Sequence, residues 1–205
     1  MNKANRNLLA VSLLCVSCGL AITATYALLS PRIEVQQRKT AEAIYFDTLQ
    51  LQPGAAQLDS ARTTDDTALL GLRTPQHIYI ARQNDRIAGV VLPLTAREGY
   101  GGDINLLLGI DNNGKVISVR VVSQHETRNL GDKIERNKSN WLDQFQNATF
   151  DDAQKTQWQL RSEGGAFDGI TGATVTSRAV VKAVQQGLDY FAAHRNELLE
   201  GKPNE

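Results

Sequence analysis

Four hydroxyl side chains, Thr171, Thr174, Thr176 and Ser177, fall within seven residues around the small pair Gly172-Ala173. They belong to the string Asp168-Gly169-Ile170-Thr171-Gly172-Ala173-Thr174-Val175-Thr176-Ser177, which runs straight into an amphipathic segment. A helix starting here offers unpaired backbone N–H groups and the positive end of its dipole, and both favour a phosphate. Small residues let that phosphate approach the backbone. The same hydroxyls are equally suited to capping a helix, and composition alone does not separate the two uses.

A second group, His125-Glu126-Thr127, could do acid–base or metal chemistry. The zinc-protease spacing requires a second histidine four residues after the first, and position 129 is Asn. A hydrolytic set of His125, Glu126 and Thr176 lacks a Gly-x-Ser-x-Gly elbow to present a nucleophile. His125 is therefore either a hydrogen-bonded residue at a strand end or a cofactor contact, and Glu126 and Thr127 are either loop-fixing groups or part of a pocket. Neither a Gly-x-Gly-x-x-Gly turn nor a Gly-Lys-Ser/Thr loop is present, so the chain itself is not expected to bind NADH or ATP. Tyr100, Trp141 and Trp158 could stack on a planar ring, although such aromatics more often serve as core.

The elements that position these groups follow from periodicity. His77 to Arg82, a turn at Asn84-Asp85, and Ile87 to Leu94 read as a hairpin; Ile104 to Ile110, Asn112-Asn113-Gly114 and Val116 to Val122 read as another. Four strands joined by short turns predict an α+β fold built on a mainly antiparallel twisted sheet. Leu58 to Pro75 is polar and reads as loop with short structure. Ser139 to Phe145 is expected as a core-facing helical turn. The last helix is expected from Thr176 or Ser177 to about Leu199, with Val180, Val181, Val184, Leu188 and Phe191 on its buried stripe.

Residues 8–29 carry no charged side chain and, at about 1.5 Å per residue, suffice for a hydrocarbon core of about 30 Å. The expected division is a tail (1–7), a single transmembrane helix (8–29), a helical stalk (30–52), a soluble domain (53–199) and a tail (200–205). A cleaved signal peptide and a lipoprotein are the alternatives; Ala24-Thr25-Tyr26 is a weak cleavage site and Leu14 to Cys18 a poor lipidation site. Lys3 and Arg6 precede the apolar run while Arg32, Arg38 and Lys39 follow it, so charge counting does not orient it. The only two cysteines, Cys15 and Cys18, lie in this run, which leaves the soluble part without a disulfide or thiolate chemistry. With Lys+Arg and Asp+Glu at 22 each, the chain has no basic footprint for nucleic acid.

Thr171-Gly172-Ala173-Thr174-Val175-Thr176 matches the Ser/Thr-Gly-Ala-Thr/Ser-x-Thr flavinylation motif of the FMN-binding subunits of Rnf-type and sodium-pumping NADH:quinone reductase complexes. His125-Glu126-Thr127, then Leu130-Gly131-Asp132-Lys133-Ile134-Glu135, resembles the corresponding segment of the RnfG/RsxG family, the FMN-binding subunits of Rnf complexes, and Gly99-Tyr100-Gly101-Gly102 resembles the glycine stretch upstream of it. The resemblance implies an FMN covalently bound by a phosphoester to Thr176. It also implies cofactor contacts from Gly101, Gly102, His125, Glu126, Thr127, Leu130, Gly131, Thr171, Gly172, Ala173, Thr174 and Ser177. No metal site and no catalytic acid or base is expected.

By the same resemblance, a Mg-dependent flavin transferase using FAD installs the group outside the cytoplasm. That implies a bacterial inner-membrane protein with its soluble domain in the periplasm. Its partners would be the other membrane, iron-sulfur and flavin subunits of an ion-translocating electron-transport complex, one variety of which keeps a redox-sensing transcription factor reduced. The family usually has Pro-Gly where this chain has Arg128-Asn129; Asn tolerates the left-handed backbone that Gly supplies, and Arg128 adds a cation. Two rivals stand beside this reading: the C subunit of a sodium-pumping NADH:quinone reductase, and a flavin-free periplasmic binding or scaffold module whose Thr-rich loop only caps a helix.

Overall fold

A computed structural model describes residues 18–19, 42–84, 86–150 and 156–200. The chain divides into two compact units, 1–43 and 44–205. The tail 1–7, the apolar run 8–29 except residues 18 and 19, the stalk as far as residue 41 and the tail from residue 201 lie outside the described residues. Among the described residues no helix is long and apolar enough to cross a membrane.

The second unit is built on a five-stranded antiparallel meander in the order β1 (Gln57–Thr64), β2 (Gln76–Gln83), β3 (Arg86–Gly99), β4 (Gly102–Ile110) and β5 (Val116–Ser123). Alternation assigns the two faces. Ile78 and Ile80, Val90, Leu92 and Leu94, and Leu106, Leu108 and Ile110 enter the main core, whereas Ala81, Val91 and Leu107 point to the opposite face. The expected hairpins are present, with Gln83 paired to Arg86 and Ile110 to Val116.

One expectation is overturned. The polar stretch after Leu58 begins as a strand, β1, at the edge of the sheet. An edge strand has a neighbour on one side only, so Asp59, Arg62 and Thr63 pair through their backbone without needing a regular apolar alternation. The sheet therefore has five strands rather than four.

Both faces are covered. Residues 42–48 are helical, here α1, and Ile44 and Tyr45 of this helix, with Leu49 and Leu51, cover the face of Ala81, Val91 and Leu107. Buried Arg120 of β5 ties the end of α1 to the sheet, its Nε donating to Asp47 Oδ2 at 2.5 Å, and Ser118 Oγ donates to Thr48 O at 2.7 Å. The other face carries α2 (Thr174–Glu200), whose Val180, Val181, Val184, Leu188 and Phe191 are all buried as expected. Helix α2 starts at Thr174, before the expected Thr176 or Ser177, so Thr176 lies inside the first turn. Between β5 and α2 the chain forms short 3₁₀ turns at Gly131–Ile134, Trp141–Phe145 and Arg161–Glu163.

Candidate functional site

Three segments far apart in sequence meet at the first turn of α2. The loop before it is anchored from below by aromatic packing: Phe167 stacks on Phe145 with centroids 5.0 Å apart and lies 4.6 Å from Trp158. Trp141 Nε1 donates to Asp168 O at 2.7 Å, and Asp168 N–H donates to Gln144 Oε1 at 2.7 Å. Trp158 is thus core, and half-buried Trp141 is a clasp on the loop.

Ser177 closes the loop onto the helix. Its Oγ accepts Ile170 N–H at 2.9 Å and donates to Ala173 O at 3.0 Å. Gly172 makes the bend at φ +81°, a backbone setting that glycine adopts without strain, while Ala173 turns inward. Ser177 N–H reaches Ala173 O at 3.0 Å, and the N–H groups of the turn before it are of the kind a helix leaves without an internal partner.

Thr176 is 1% exposed, and its Oγ1–H donates to Glu126 Oε2. Glu126 is itself 7% exposed; its Oε1 accepts Gly101 N–H at 2.9 Å and its own N–H donates to Gln124 Oε1. The two-residue turn between β3 and β4 supplies Gly101, and the segment leaving β5 supplies Glu126. Space is as decisive as hydrogen bonding. A Cβ on Gly131 would lie 2.8 Å from Glu126 Oε2 and 3.0 Å from Thr176 Oγ1, and one on Gly101 would lie 2.0 Å from His125 O.

In the loop Thr127–Gly131 this chain carries Arg128-Asn129. Asn129 stands at φ +60°, the left-handed setting that its side chain tolerates. Leu130 then projects outward and comes within 3.0 Å of a Cβ position on Gly172. Tyr100, Leu130 and Val175, at 74%, 40% and 42% exposure, are three of the four large apolar side chains exposed among the described residues, and each is a chain neighbour of Gly101, Gly131 or Thr176. Thr171, Gly172, Thr174, His125, Thr127, Gly101 and Gly102 are exposed around the same centre. Arg178, one turn along α2, is committed to an ion pair with Glu163, whose carboxyl it draws below the usual range.

The expected residues are therefore brought together. The sequence had not shown that Glu126 holds the Thr176 hydroxyl, nor that Tyr100 and Val175 flank the same point. A flavin nucleotide fits such a place: glycine-lined backbone at a helix N-terminus suits its phosphate, and exposed apolar side chains suit its flat ring. Among the described residues no group of three or more His, Cys, Asp or Glu could hold a metal ion.

Residues 99–189, which include the whole of this constellation, match the family model described as FMN-binding domain. The chain is similar to the G subunit of the ion-translocating oxidoreductase complex of Vibrio cholerae, 36% identical over 93% of this chain and 90% of that protein. It is similar to the protein of the same name from Pseudomonas aeruginosa, 43% identical over 73% of this chain and 71% of that one. A third, from Aliivibrio fischeri, is 33% identical over 93% of this chain and 91% of its own length.

Proposed function

The chain belongs to the family formed by the G subunits of ion-translocating oxidoreductase complexes, and from that premise we propose that it carries one FMN esterified through its phosphate to Thr176 Oγ1 and relays electrons within such a complex. The observation that carries this reading is the placing of Thr176 in the first turn of α2, with its hydroxyl held on Glu126 and apolar side chains exposed around it. When bound, FMN supplies one- and two-electron redox chemistry; the protein supplies attachment, orientation and local field.

The chain's own part is then limited and specific. The start of α2 offers its positive dipole end to the phosphate. Leu130, Tyr100 and Val175 offer exposed apolar surface to the ring. A covalent ester keeps the carrier from being lost in a compartment where free flavin would not be recovered, and it holds the ring near its partners without repeated binding entropy.

Residues 8–29 form, on this reading, a single span of a bacterial inner membrane with the domain in the periplasm, where a flavin transferase loads it and the other subunits of the complex exchange electrons with it. Intact-mass analysis of native protein tests the core of the proposal: a mass increase of one FMN, mapping to the peptide that holds Thr176. Thr176→Ala is expected to give a folded, colourless protein without in-gel flavin fluorescence, whereas Thr174→Ala keeps it. Native protein at the bare polypeptide mass would leave the flavin-free scaffold reading in its place.

A further inference from the structure

Why Thr176, among four neighbouring hydroxyls, should be the one to react is answered by where each proton points. Thr171 and Thr174 are exposed, and Ser177 gives its proton to the peptide carbonyl of Ala173, a group too weakly basic to remove it. Among the described residues Thr176 alone of the four donates to a carboxylate, Oε2 of Glu126. That carboxylate makes no ion pair among the described residues, and its second oxygen is steadied by Gly101 N–H at 2.9 Å. Buried at 7% exposure, it acts on the hydroxyl through little water, which strengthens the interaction.

We propose that Glu126 is the proton acceptor that activates Thr176 for its own modification, an inference that rests on the reading that FMN is esterified at Thr176. A neutral hydroxyl is a weak nucleophile and must lose its proton as the new bond forms. Thr176 Oγ1 attacks the phosphorus of the FMN half of a flavin adenine dinucleotide. The Oγ1–P bond forms, the P–O bond to the AMP half breaks, AMP leaves, and the Oγ1 proton passes to Glu126 Oε2; nothing is oxidised or reduced. Because Thr176 is 1% exposed, the phosphorus reaches Oγ1 only once the chain covering that hydroxyl parts. Glu126 keeps its hold on Gly101 and stays in place to receive the proton.

The test uses the full chain made without flavin transferase, then incubated with purified transferase, Mg²⁺ and flavin adenine dinucleotide, with adduct formation followed by intact mass across a range of acceptor concentrations. Glu126→Gln is expected to keep the far-UV circular dichroism and KM of the unsubstituted chain while kcat falls about a hundredfold, the scale on which a positioned base acts. Glu126→Asp, which retains a carboxylate at shorter reach, is expected to recover about a tenth of the lost rate. A Glu126→Gln chain modified at full kcat, or one whose loss lies wholly in KM, overturns the assignment. Should Glu126→Gln fail to fold, Glu126→Asp decides: a lowered kcat at unchanged KM supports the role, and an unchanged kcat overturns it. If the unsubstituted chain gains no adduct at Thr176, the attachment reading itself has failed, which is a separate result.

Discussion

At the scale of single residues, the site depends on a contact that spans 50 positions, from Glu126 to Thr176. Such a contact is set by how β5 and α2 fold onto the sheet, and no local pattern encodes it. A helix start near Thr176 was legible, because hydroxyls around a small pair before an amphipathic stretch describe one by elementary geometry, whereas singling out Thr176 among them rested on the resemblance to the flavinylation motif. Glu126 was legible only as a polar residue of uncertain duty. Gly131 makes the contact sterically feasible, and it yields a prediction. Gly131→Ala places a methyl group 2.8 Å from Glu126 Oε2 and 3.0 Å from Thr176 Oγ1. Overpacking of this kind costs about 1–3 kcal/mol, so the thermal midpoint should fall and the flavin content of co-expressed protein should fall with it. Gly131→Ala protein that is fully loaded and as stable as the unsubstituted chain would show that the contact has slack.

Elements were legible where burial is periodic and obscure where it is not. Strands β2 to β5 alternate between two apolar faces and announce themselves; β1, paired along one edge only, carries little alternation and reads as loop. The helix α1 was expected as part of a stalk, and its end instead covers the face of the sheet opposite α2. Two measurements probe that cover. At Gly109 an added Cβ would meet the backbone oxygen of Thr48 at 2.6 Å, so Gly109→Ala should lower stability by about 1–3 kcal/mol while leaving flavin attachment intact. Tyr45 packs on Tyr79 with centroids 4.3 Å apart, and burial first, then Tyr79, pushes its phenol up to about 12. An unfolded tyrosine ionises near about pH 10, so the fold favours the protonated form. The resulting stability is complete below that pH and is lost as pH rises towards 12. A near-UV titration should show one late-ionising tyrosine that Tyr45→Phe abolishes; a titration unchanged by Tyr45→Phe would remove this account of the α1 contact.

For the molecule as a whole, both apolar clusters and every residue of the candidate site lie between Ile44 and Leu199. The second compact unit, 44–205, contains them all. A fragment of residues 42–205 should therefore unfold in one cooperative transition, since a single sheet with a helix on each face gives no boundary at which half of it could melt alone. Co-expressed with a flavin transferase exported to the same compartment, it should gain one FMN and remain in the supernatant on ultracentrifugation, while the full chain sediments with membranes through residues 8–29. Two separate unfolding transitions would mean that α1 and the sheet do not share one core. A fragment that folds but takes no flavin would place part of the recognition by the transferase in the first 41 residues, and a full chain that stays soluble would remove the case for a membrane anchor.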